Sequence, residues 1–169
     1  MVATIPVPLA FMPSGGPFGM PSFNPAMFRQ AVKVVGGNSF ERTRVIAALK
    51  EVLRTPRGKE IKNTIRAGGV QKTISILPGS GLLETTNPNL IRIDPYLHPQ
   101  LYSASGVIVG NLRRIIGHEL GHTIGIYDVG PGQMMNVNQT ENPIMGALGM
   151  PLRTAYPLFG SFSSSLLYY

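Results

Sequence analysis

Two histidines and a glutamate stand in the run Ile116-Gly117-His118-Glu119-Leu120-Gly121-His122. Positions four apart on an α-helix are separated by about 40° and share one face. Two imidazoles so placed can ligate one zinc ion through nitrogens at about 2.0–2.1 Å. Glu119 follows the first histidine and can reach a water in a fourth coordination position. Zinc lowers the pKa of such a water towards about 7, and an adjacent carboxylate can take its proton. His118, Glu119 and His122 thus supply two ligands and a general base within one short segment, and they imply one Zn2+ per chain. The chain has three histidines, so this segment takes two of them and leaves His98.

Catalytic zinc takes three protein ligands and a water. Beyond Asp94 the acids are Glu119, Asp128 and Glu141. Asp128 follows Gly125, and a glycine there permits a sharp reversal that brings a short carboxylate back to the metal. The run HELGHTIGIYD resembles the HExxHxxGxxD pattern of metzincin zinc proteases, in the branch that ends in aspartate. That resemblance implies Asp128 as third ligand. It also implies a methionine turn beneath the metal, which Met145 would serve.

A second resemblance competes. Residues 140–156 read TENPIMGALGMPLRTAY and look like the closing signature of the NleD-type zinc metalloproteases, which include type III secretion effectors and related toxin domains. The matching residues are Thr140, Glu141 and Asn142, then Gly149, Pro151, Arg153 and Tyr156. Upstream, Thr55-Pro56-Arg57-Gly58 and Ile91-Arg92-Ile93-Asp94-Pro95 are similar to that group as well. On this alignment Glu141 is the better third ligand. Asp128 is preferred on local geometry; His98, in a proline-flanked loop, or no further protein ligand are the remaining options. The resemblance also makes Tyr156 and Arg153 candidates for steadying an oxyanion, with Tyr127 a weaker one.

These residues need a helix beneath them. Leu112, Ile115, Ile116 and Leu120 give an apolar side to a helix over residues 112–124. Asn38 and Glu41 have capping-box spacing ahead of Val45, Ile46, Leu49, Val52 and Leu53, so a helix begins there and ends at Thr55-Pro56. A second helix is expected over 59–66, strands over 71–77 and 90–94 with a turn at 78–81, and a short helix over 142–148. Residues 1–28 read as a Pro/Gly-rich leader, residues 29–160 as one zincin-like domain with folded structure from about Asn38, and residues 161–169 as a tail. The expected class is α+β: a small twisted sheet, a backing helix pair and an active-site helix.

Composition narrows the field. Cysteine is absent, which excludes disulfide scaffolds, thiolate zinc sites and cysteine nucleophiles. Apolar residues are 43 % and charged residues 14 %, enough for one core and unlike a disordered polyampholyte. The longest uncharged run, residues 1–28, holds six prolines and three glycines, so it is no membrane-spanning helix and lacks the form of a conventional signal peptide. A net charge of +7 favours acidic partners, but no groove-reading or aromatic-interleaved motif accompanies it, so nucleic acid is not expected. Most of the basic residues, Arg113 and Arg114 among them, read as solvated helix faces. The expectation is a zinc metalloendopeptidase acting on a protein substrate, monomeric and without membrane contact. The effector resemblance implies secretion or delivery into a host cell by a non-classical route; otherwise the chain is cytoplasmic. The alternative is a non-catalytic, zinc-stabilised protein-binding module.

Overall fold

A computed structural model describes residues 31–129 and 131–155. The order of elements is β1 (Val32–Gly36), α1 (Ser39–Arg54), α2 (Pro56–Ala67), β2 (Lys72–Ile76), β3 (Leu83–Asn87), β4 (Leu90–Ile93), β5 (Gln100–Ser103), β6 (Gly106–Val109), α3 (Leu112–Thr123), α4 (Asn142–Ala147) and β7 (Arg153–Ala155). A wide π-helical turn, Val137–Glu141, leads into α4.

Local chemistry sets the helices. Asn38 Oδ1 accepts from the Glu41 amide at 3.0 Å and the Glu41 carboxylate accepts from the Asn38 amide at 2.7 Å, a complete capping box. Thr55 ends α1 and caps α2, its hydroxyl accepting from Gly58 N at 3.0 Å. A side chain at Gly58 would meet the Val52 carbonyl at 1.9 Å, so only glycine lets the two helices meet so tightly. Pro56 sits in the first turn of α2, where its missing N–H costs nothing. That is why α2 starts earlier than the expected residue 59.

The main sheet has the order β1-β2-β4-β3, with β1, β2 and β4 parallel and β3 antiparallel at the edge. Ile74, Ile76, Ile91 and Ile93 are buried from the sheet side, and Val45, Val52, Ile61, Ile116 and Leu120 from the helices. A second antiparallel sheet has the order β6-β5-β7. The α+β class is as expected. The onset is not: β1 precedes Asn38 and is an integral strand paired with β2 from Val32↔Lys72 to Gly36↔Ile76. The leader 1–28 and the tail 161–169 lie outside the described residues. Among the described residues, no helix is long and apolar enough to cross a membrane.

Candidate metal centre

Helix α3 is capped by Asn111, whose side chain accepts from the amides of Arg113 at 3.1 Å and Arg114 at 3.2 Å. It ends where Gly125 takes φ +85° and the Ile126 amide bonds back to the Gly121 carbonyl at 3.1 Å. The reversal delivers the Ile126 carbonyl to His122 Nδ1 at 2.9 Å. A carbonyl can only accept, so Nδ1 donates here and Nε2 is the ring nitrogen turned towards Asp128. The same reversal carries Asp128 back over the helix. Its Oδ2 lies 3.1 Å from His118 Nε2 and 3.3 Å from His122 Nε2.

Glu141 reaches the other side of His118. Its Oε2 accepts from His118 Nδ1 at 3.0 Å, and its Oε1 accepts from Arg114 at 2.5 Å. Arg153 stands 3.4 Å from Oε2. Burial alone would raise the Glu141 carboxyl, but His118, Arg153 and Arg114 together hold it below the ordinary carboxylate range. For His118, burial disfavours the charged ring, yet Asp128, Glu141 and the charge of Glu119 push its pKa up to about 10. The carboxylates around the ring would likewise attract a cation at Nε2, the nitrogen that Asp128 faces while Glu141 holds Nδ1. His118, Glu119 and His122 present ligand atoms within 4.8 Å of one another. Two imidazoles and carboxylates form a donor set suited to zinc.

Three further groups complete the surroundings. Asn136, fully buried, donates to the His118 carbonyl at 2.9 Å and lies 3.4 Å from His122 Nε2. Gly121 makes room for it: a Cβ there would meet Asn136 Oδ1 at 2.0 Å and the Thr140 hydroxyl at 2.8 Å. Thr85, on β3, donates to the Glu119 carboxylate at 2.7 Å. A cleft of about 790 Å³ opens beside these groups, with residues 84–88 on one wall and His122, Tyr127, Asp128 and Val129 on the other.

The fold therefore brings His118, Glu119, His122, Asp128 and Glu141 together, but Asp128 and Glu141 face different nitrogens of His118. Met145 lies within helix α4, fully buried in the main core. His98 stands apart, its Nδ1 donating to the Gly110 carbonyl at 3.2 Å. Arg114 is not on a solvated face: it is 2 % exposed and bound to Glu141. Tyr127 is exposed, with its ring stacked on His122 at 6.2 Å between centroids. Tyr156 lies outside the described residues. The segment 140–142 is used throughout: Thr140 packs on Gly121, Glu141 holds His118, and Asn142 clamps the Arg153 backbone through two hydrogen bonds of 2.8 Å. Asn136, Thr85 and Arg114 carried no motif that marked them in the sequence.

The fold is similar to that of a zinc metalloprotease effector. A solved structure with this likeness is the Salmonella zinc metalloprotease effector GtgA, with a TM-score of 0.53 over 73 % of this chain and 75 % of that one. Identity is 12 %, so the likeness establishes fold and does not single out the NleD-type group. No family model and no curated protein matches the sequence.

Proposed function

We propose that the chain is a zinc-dependent endopeptidase, with His118, His122 and Asp128 as ligands and Glu119 as general base. The observation that carries this reading is the convergence of Asp128 Oδ2 on both Nε2 atoms, 3.1 and 3.3 Å away, beside Glu119. When bound, zinc would supply Lewis acidity and a water of lowered pKa. Glu119 would accept that water's proton and return it to the leaving amine. Glu141 holds His118 through Nδ1, which would leave Nε2 to the metal, and Arg114 and Arg153 favour the charged form of the Glu141 carboxylate. Tyr127 lines the cleft and is the described group best placed to steady an oxyanion, a role the sequence also offered to Tyr156.

A protein substrate and delivery into a host cell are supported by the fold shared with an effector protease. The test combines zinc stoichiometry with hydrolysis of a peptide library, in wild type and Glu119→Gln. About one zinc per chain in both, with cleavage only in wild type, supports the reading. Zinc without cleavage would favour the non-catalytic binding module, and absence of zinc would defeat both.

A further inference from the structure

Thr85 stands where the sheet calls for an apolar residue. Along β3, Leu83 and Thr85 lie directly opposite Ile93 and Ile91, and both isoleucines are fully buried. Opposite residues of an antiparallel pair project from the same face. Valine would fill that position at nearly the same volume without a hydroxyl to satisfy. The hydroxyl here donates to Glu119 Oε2 at 2.7 Å, with the Glu119 backbone carbonyl at 3.1 Å. A hydroxyl has one proton, and the nearer, charged acceptor is the stronger partner. Among the described residues, Thr85 is the donor to this carboxylate. The pairing of β3 with β4 shifts register immediately afterwards, between Thr85 and Asn87, which ends the regular ladder at this residue.

We propose that Thr85 is a positioning residue that holds the Glu119 carboxylate in place beside His118 and His122. The proposal rests on Glu119 being the general base. With Oε2 engaged by Thr85, Oε1 is left to take a proton. The hydroxyl is carried by a paired strand, so the carboxylate is held by the sheet as well as by its own helix. A base held in one geometry does not have to be ordered during each turnover.

The test uses the zinc-loaded full chain and acetohydroxamic acid as probe. This ligand chelates zinc through two oxygens and presents a proton to a neighbouring carboxylate, so its affinity reads the carboxylate's placement without needing a substrate. Thr85→Val is expected to weaken binding by about tenfold, at unchanged zinc content and melting temperature. Thr85→Ser should restore it, and Thr85→Ala should weaken it as valine does. Adding Thr85→Val to Glu119→Gln should cost little more than Glu119→Gln alone, because the hydroxyl acts through that carboxylate. Wild-type affinity in Thr85→Val, with weakened binding in Glu119→Gln, overturns the proposal and leaves the peptidase reading intact. Loss of zinc or of stability in Thr85→Val overturns it too, since the hydroxyl is then structural. If Glu119→Gln binds the probe as wild type does, Glu119 does not face the metal and both readings fall. If the hydroxamate pattern holds while no peptide is cut, the positioning stands and the peptidase reading alone fails.

Discussion

At the residue scale, Asp128 and Glu141 separate by which nitrogen of His118 they face. Asp128→Ala removes the oxygen shared by both Nε2 atoms. It is expected to lower zinc affinity by well over the 10–100-fold typical of a lost supporting carboxylate. Glu141→Gln keeps an acceptor for Nδ1 but gives up charge, leaving Arg114 and Arg153 buried against a neutral group. Its zinc affinity should fall within about 10–100-fold. Competition against a chromophoric chelator measures both, and a larger loss from Glu141→Gln would reverse the assignment. For the oxyanion, Tyr127→Phe should lower kcat by about 10²–10³ with KM little changed, as loss of one donor does. The parallel Tyr156→Phe variant supplies the comparison. A larger loss there would move the role to Tyr156.

At the scale of elements, what was legible in the sequence followed from locality. The capping box of α1, the Thr55-Pro56 break and the apolar side of α3 are written within one or two helical turns, and each was readable. β3, β5, β6 and β7 carry no such local signal. Their sequences, LETTN, QLYS, GVIV and RTA, are short and mostly polar or exposed, and pairing with distant segments makes them strands. The site divides in the same way. His118, Glu119 and His122 share one helical face and announce themselves. Thr85 meets Glu119 across 34 residues, Arg114 meets Glu141 across 27, and Asn136 meets the His118 carbonyl across 18. No spacing rule spans such gaps. Gly121 joins the two scales: it looks like a helix weakness, yet it admits Asn136 against α3. Gly121→Ala would raise helix propensity but overlap Asn136 Oδ1. The expected outcome is a net loss of about 1–3 kcal/mol by denaturant unfolding, and a stabilised variant would show that Asn136 can be displaced freely.

At the scale of the whole molecule, stability against acid should depend also on carboxylates tied into the fold outside the candidate metal centre. Asp94 closes the end of β4. Its Oδ2 accepts from the Gly81 amide at 3.0 Å and its Oδ1 from the Tyr96 amide at 3.0 Å, joining the turn at 78–81 to the loop before β5. Burial works to raise this carboxyl, but the amides of Gly81, Tyr96 and Gly79 and the nearby His98 lower it overall. The unfolded chain therefore binds a proton here more readily than the folded one. Stability from Asp94 is fully present above the ordinary carboxyl range, near pH 4, and is lost as the pH falls through the lowered folded value. Glu141 carries the same sign but touches His118 of the candidate metal centre, where metal binding would enter its titration; Asp94 has no such contact with the candidate site among its hydrogen bonds. The informative quantity is thus the difference in melting temperature between wild type and Asp94→Asn, followed from about pH 6 to 3 in matched metal states. Asparagine has one acceptor oxygen where aspartate uses two, so the variant should melt lower at neutral pH. It also cannot titrate, so its deficit should shrink steadily as the pH drops. A deficit that stays constant across that range would mean that Asp94 serves the loop by shape alone and not through its charge.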